Sequence, residues 1–307
     1  THSFLLLLAA FIWGMAFVSQ SKGMDFMHPL TFNGVRALIG AFALLIYILV
    51  SRKIAGKKAK KIDWKTTVRA GVLCGLALTV ASTLQQFGIK YTTVGKAGFI
   101  TTLYIIFVPI AGIFFRKKVA VIVWIGAALA AVGMYLLCMT ESLVLGIGDM
   151  LVFLCAVAFT AHIILVDHYS PKTDGAIVSC IQFTVVGVFC TIGALIWGAP
   201  TFGQIQEGLG ALLYAGVLSC GVAYKLQIVG QKGVNPTIAA VIMSLESVVA
   251  TVSGWLAFKI GFLKKDQSMT ERQIWGCMLV FVAVLLVQLP TEWFVRKKKS
   301  DGNASIN

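Results

Sequence analysis

Apolar residues fill this chain in long runs, with few polar positions inside them and little alternation. Ten such runs can be counted, at roughly 4–20, 30–50, 67–88, 94–115, 119–139, 147–166, 175–197, 208–230, 235–260 and 273–291. Each approaches the ~20 residues that a helix needs to cross a hydrocarbon core. A helix on the surface of a soluble domain carries one apolar stripe, whereas a segment apolar all round is buried in a core or in lipid. The connections are short, and none could form a soluble domain. The pattern predicts an all-α polytopic membrane protein of ten transmembrane helices. Composition agrees: 58% of the 307 residues are hydrophobic and 12% charged, against about 45–50% and roughly 25% in soluble domains. Mean hydropathy is +0.89.

The net charge of +14 raises nucleic acid as a partner, but its distribution excludes that reading. The basic residues gather between the runs. Arg52, Lys53, Lys57, Lys58, Lys60, Lys61, Lys65 and Arg69 follow the second. Arg116, Lys117 and Lys118 follow the fourth, Lys172 the sixth, Lys232 the eighth and Arg296 to Lys299 the tenth. All fall on one side, which the positive-inside rule makes cytoplasmic. The expected location is the cytoplasmic (inner) membrane, with both termini inside. One loop dissents: Lys264, Lys265 and Arg272 follow the ninth run, beside Asp266 and Glu271. The first run lacks a basic flank and a small-residue cleavage site, so it is expected to be a span rather than a removed signal. The seven cysteines, Cys74, Cys138, Cys155, Cys180, Cys190, Cys220 and Cys277, all lie in or beside apolar runs without metal-ligand spacing. They read as packing residues, and no metal site is expected.

Two pieces of sequence recur. LAAFIWGMAFV (8–18) lines up with LCAVAFTAHII (154–164), and LQQFG (84–88) with LQIVG (226–230). A five-helix first repeat over 1–140 and a second over 147–291 follow, with a basic cytoplasmic tail at 292–307. Five is odd, so the second copy would be inverted, an arrangement that places a transporter's site between the halves.

The order of motifs resembles the drug/metabolite transporter superfamily, specifically its EamA-like ten-helix members, over nearly the whole chain. The resemblance rests on AAFIWGMAFV in helix 1, Arg36 early in helix 2 and LQQFGIKYTTVGKAGFITTLYIIFVPI through helices 3 and 4. GDMLVFLCAVAF opens the second half, and LLYAGVLSCGVAYKLQIVGQKGVNPTIAAVIMSLESVVATVSGWL spans helices 8 and 9. It implies a basket of ten helices around a central cavity, moving small organic metabolites, amino acids or related amphipathic solutes, by alternating access. The chain departs from the family in three places. Glu246–Ser247 stands where a Glu-Pro pair is common, with Val108–Pro109 in the first half. FFRKK and LAFKIGF lack the acids often found after helices 4 and 9, and Phe159 replaces a Trp.

Ionisable residues deep in a span cost about 2.5–3.5 kcal/mol each on insertion scales and face the bundle interior or water. Glu246, near the middle of helix 9, is a candidate protonatable or amine-binding carboxylate, with a structural carboxylate as the alternative. Lys225 in helix 8 could pair with Glu246, bind a substrate carboxylate or snorkel to the interface. His162 in helix 6 is open between a proton relay and a neutral hydrogen-bonding residue. Trp13 sits mid-span, where it could stack on a solute or pack in the core. Helices 3 and 4 contribute Thr79, Ser82, Gln85, Gln86, Thr101 and Tyr104, uncharged groups suited to orienting a metabolite or to holding helices together. Arg36 reads as a helix-end residue with a structural role.

TTVGKA (92–97) fails as a phosphate loop, because Lys90 and Ala97 occupy positions that need Gly and Ser/Thr. No cofactor motif and no hydrolase motif is found. The sequence therefore favours a secondary transporter over an enzyme, with a small-molecule substrate, membrane lipid around it and protons as a candidate coupling ion. An intramembrane enzyme or lipid-handling protein is the alternative, and a passive channel comes third.

Overall fold

The computed structural model describes residues 2–56, 62–114, 121–138, 146–268 and 270–288. Lys57, Lys58, Lys60, Lys61, Arg116, Lys117, Lys118, Trp293 and Arg296 to Lys299 lie outside the described residues, as does the tail. The described residues form helices and no strand. The rods are α1 His2–Gly23, α2 Pro29–Ala55, α3 Trp64–Tyr91, α4 Val94–Phe114, α5 Val121–Cys138, α6 Ile147–Tyr169, α7 Gly175–Gly198, α8 Leu209–Gly230, α9 Pro236–Lys259 and α10 Glu271–Gln288. A short helix, Phe202–Glu207, precedes α8. Eight of the rods are long and apolar enough to cross a membrane. The other two, α5 and α10, carry shorter apolar stretches, Trp124–Gly133 and Ile274–Leu286, and pack on each other.

Local chemistry sets the starts. The Asp63 carboxylate accepts from the Thr66 amide, Thr93 Oγ1 from Lys96, Asp174 from Ala176 and Ile177, and Asn235 from Thr237, with Pro236 in the first turn of α9. These caps satisfy amides that a helix start leaves without partners. Large apolar side chains such as Phe42, Phe114 and Trp197 face outward, Phe114 at 83% exposure. Such a belt is costly in water but natural against hydrocarbon chains.

Two rods are interrupted. α4 breaks at Leu103 and α9 at Ser244. Hydroxyls take up the carbonyls around the breaks: Thr102 Oγ1 donates to Phe99 O, Ser244 Oγ to Val241 O and Ser247 Oγ to Ser244 O. Broken helices persist at membrane depth only where such groups resatisfy the backbone. In α8, Tyr214–Ala223 runs as a π-helix just before Tyr224.

The packing is reciprocal. α3 lies along α6 and α7, and α8 along α1 and α2; α4 packs on α6, and α9 on α1; α2 faces α7, and α5 faces α10. Exchanging every helix for the one five places away reproduces this pattern. At one end of the bundle, Thr92 after α3 bonds Asp149 at the start of α6, and Lys265 after α9 bonds the Thr92 carbonyl. At the other end, His2 meets the Val229 carbonyl near the end of α8, and Lys232 meets Thr173 after α6. The C-terminal ends of α3 and α8 thus lie at opposite ends of α6. Two basic residues of the loop that dissents from the charge pattern make contacts here. Lys265 ties two helix ends together, and the Arg272 guanidinium lies 5.1 Å from the Tyr135 ring centre, so both serve local contacts.

Candidate functional site

A narrow cavity of about 40 Å³ lies among α1, α2, α3, α4, α6, α7, α8 and α9. Six of the ten candidate binding residues named from the sequence line it: Trp13, Ser82, Gln85, Thr101, Tyr104 and Glu246. Glu246, 5% exposed, follows the break in α9. Its Oε1 accepts a hydrogen bond from Tyr104 Oη at 2.9 Å. Gln85 Nε2 donates to Thr101 Oγ1 at 3.2 Å. The Trp13 ring meets Tyr224 edge-on with centres 4.7 Å apart, and Phe183 meets Tyr224 at 4.9 Å.

Tyr104 and Glu246 stand 142 residues apart in sequence. Gln85 and Gln227, Gly88 and Gly230, and the helix caps Thr93 and Asn235 have the same separation. The counterpart of Glu246 is therefore Tyr104, rather than the Val108–Pro109 pair suggested by the Glu-Pro comparison. Two corresponding positions from the two halves bond to each other in the cavity wall.

Four sequence candidates lie elsewhere. Thr79 Oγ1 donates to the Gly75 carbonyl one turn back, a common fate of a helical hydroxyl. Gln86 is fully buried and donates to the Gln20 carbonyl, joining α3 to α1. His162 is fully buried, with Nε2 3.1 Å from Gln182 Oε1. Lys225 does not meet Glu246. Its ammonium sits 3.5 Å from the centre of the Tyr47 ring, beside a different cavity.

Arg36 is a correction in the other direction. It is buried two turns inside α2, lines the central cavity, and has its guanidinium carbon 5.5 Å from the Phe32 ring centre. No carboxylate pairs with it among the described residues. Sequence reasoning also passed over Gln20, Ser219, Tyr224 and Gln227, which complete the polar part of the wall. Gln227 was recoverable from the match of LQIVG to LQQFG.

Several polar atoms of the lining residues are buried without a protein partner: Trp13 Nε1, Gln20 Oε1, Ser82 Oγ and Gln227 Oε1. A buried polar group without a partner costs about 1–3 kcal/mol, so such atoms mark a place for water or a solute. The lining supplies a cation, a carboxylate, neutral donors and acceptors, and aromatic faces. Among the described residues no group of three His, Cys, Asp or Glu is placed to hold a metal ion.

The family model of EamA-like transporters matches residues 2–139 and again 146–289. The chain belongs to the EamA-like transporter family. It is similar to an uncharacterized transporter of Archaeoglobus fulgidus, 30% identical over 290 residues that cover 92% of this chain and 84% of that protein. It is also similar to the uncharacterized transporter YwfM of Bacillus subtilis, 28% identical over 291 residues and 93% of both chains. A solved crystal structure matches in fold with a TM-score of 0.72, covering 97% of this chain and 99% of that one at 13% identity. The protein is thus a multi-pass membrane protein of a transporter family, and its relatives are named as transporters rather than enzymes.

Proposed function

We propose that the protein is a secondary transporter for small zwitterionic metabolites, amino acids first among them, working by alternating access around the central cavity. One observation carries this reading. Buried Arg36 and buried Glu246 line the same cavity without pairing to each other, amid unpartnered polar atoms. A buried charge without a partner is expensive. A zwitterion would answer both, its carboxylate meeting Arg36 and its ammonium Glu246, with Trp13, Phe183 and Tyr224 facing the remainder. The guanidinium suits a carboxylate through its planar fork of donors. This replaces Lys225 by Arg36 as the cationic member of the pair.

At about 40 Å³ the cavity has room for a few water molecules. An amino acid enters only if the helices part, which is what rocking of two halves would achieve. The reading takes ten spans in two inverted repeats, 1–140 and 147–291. The double family match and the reciprocal packing support it. Both termini are placed in the cytoplasm, on the strength of the Lys and Arg distribution. Proton coupling at Glu246 belongs to the same proposal, because a carboxylate that releases a proton can take up an ammonium in its place.

The test is counterflow of radiolabelled solutes in proteoliposomes, across amino acids, amines, organic acids and nucleosides. Saturable exchange of one or more amino acids is expected, reduced at least tenfold in Arg36→Gln and in Glu246→Gln. Exchange of a simple amine or a simple acid in preference to amino acids would overturn the zwitterion reading. Absence of flux for the whole panel would overturn the transport reading.

A further inference from the structure

A second cavity, of about 410 Å³, opens between α2, the start of α7 and the end of α8. Three cationic side chains line it: Arg52, Lys225 and Lys232. Asp174, the one carboxylate in its wall among the described residues, accepts from the Ala176 and Ile177 amides as the cap of α7. The Lys225 ammonium lies over the Tyr47 ring, and Lys232 donates to the Thr173 carbonyl at 3.1 Å. Lys225 and Lys232, neither of them in an ion pair among the described residues, repel one another, and an anion between them relieves that repulsion.

We propose that this cavity binds the headgroup of a net-negative phospholipid. The position of Lys225 on its helix commits the site to a lipid rather than a soluble anion. Leu218, Val222, Lys225 and Val229 follow a helical spacing on one side of α8, and Leu218 and Val222 are exposed. On α2, Leu45, Ile46, Leu49 and Val50 beside Tyr47 are exposed as well. Exposed apolar side chains thus lead along both helices to the cationic cavity, as acyl chains lead to a phosphate. The same end carries Arg52 and Lys53 in the last turn of α2, basic residues that the positive-inside rule places at the cytoplasmic leaflet, where anionic lipids gather. A lysine inside a span, with no ion pair among the described residues and no place in the central cavity, gains a purpose. It holds the phosphate that its own helix brings it to.

Native mass spectrometry of the detergent-solubilised full chain tests this, with phosphatidylglycerol, phosphatidylcholine, glycerol phosphate and inorganic phosphate as probes. Retention of phosphatidylglycerol over phosphatidylcholine is expected. Lys225→Gln and Lys232→Gln should each weaken it roughly fivefold, in line with about 1 kcal/mol per cation, and Lys225→Arg should restore it. Equal retention of both lipids, or no change in the Gln variants, overturns the site. Glycerol phosphate or inorganic phosphate bound as tightly as the lipid overturns the lipid assignment. Retention of lipid does not depend on solute flux, so this result and the transport result fail separately.

Discussion

Residues 84–104 and 226–246 are two readings of one pattern, held at the separation of 142 that joins Tyr104 to Glu246. Where they agree, they build the frame. Gln85 and Gln227 both line the central cavity. Gly88 and Gly230 both sit where a neighbouring helix leaves no room for a Cβ. Where they differ, they supply chemistry. Tyr104 faces Glu246, and Lys96 corresponds to Ile238. Lys96 pairs with Asp149 at 3.6 Å at one end of the bundle, while Ile238 packs against the apolar cluster that holds Leu6, Ala239 and Ile242. The proposed repeat would thus give the protein two similar ends and one cavity, with a few mismatches making the ends and walls unequal.

Removing the central mismatch should have the largest effect. Glu246→Gln keeps the size and the hydrogen bond to Tyr104 but loses the charge. A charge-assisted contact is worth about 1.5–3 kcal/mol, so exchange should fall by roughly 10- to 100-fold, and its pH dependence should flatten. Tyr104→Phe removes a donor and leaves the charge, so a loss of about tenfold or less is expected. If Glu246→Gln transports at the normal rate with an unchanged pH profile, the carboxylate has no part in coupling.

The two ends can be exchanged one residue at a time. Ile238→Lys puts a cation against apolar clusters, and should destabilise by about 2–3 kcal/mol. Lys96→Ile removes an ion pair whose ammonium is partly exposed and whose carboxylate is buried. It should cost about 1 kcal/mol or less, because Asp149 keeps the Thr92 hydroxyl and the Gly146 amide as donors. Thermal unfolding in detergent measures both. Equal losses would mean that the ends are closed by the same kind of contact.

The matched glycines differ more finely. A Cβ on Gly88 would press on Val152 Cγ2 and come 2.9 Å from the Gly148 carbonyl oxygen, whereas on Gly230 it would come 2.9 Å from the Leu6 side chain and 3.2 Å from the His2 carbonyl oxygen. Backbone yields less readily than a side chain. Both Gly→Ala changes should destabilise by about 1–3 kcal/mol, Gly88→Ala by more. A larger drop in melting temperature for Gly230→Ala would show that the α1–α8 contact is the stiffer one.

Much of this fold was legible because lipid imposes it. Long apolar runs locate the helices within a few residues. The wall of the cavity was legible only in part. In a soluble protein the apolar face of a helix points inward, but here both core and lipid accept apolar side chains. The sequence marks Glu246 as unusual, yet nothing in it says that Lys225 turns outward to Tyr47 while Arg36 turns inward. Tyr224 went unnoticed because an aromatic residue in an apolar run carries no sign of its side. Thr79 misled for a related reason, since a hydroxyl on a helix can satisfy itself on its own backbone.

The smallest predicted effect concerns Lys265, which lies in the loop at the Lys96 end. Burial, the largest influence, and repulsion from Lys96 hold its pKa below the ordinary lysine value, while Asp149 acts against them. The neutral form is favoured in the folded protein, so Lys265 loses its proton at a lower pH than a free lysine. The unfolded chain still holds that proton. Stability from this group therefore rises with pH, from the lowered folded value up to the ordinary 10.5. Lys265 should react with an amine-directed acylating reagent at lower pH than a model lysine peptide, as followed by mass spectrometry. Lys96→Ile should move the labelling midpoint up by removing a like charge, and Asp149→Asn should move it down by removing the opposite one. Unchanged midpoints in both variants would mean that the three groups do not share a field, and that the polar end of the bundle is a set of separate contacts rather than a unit.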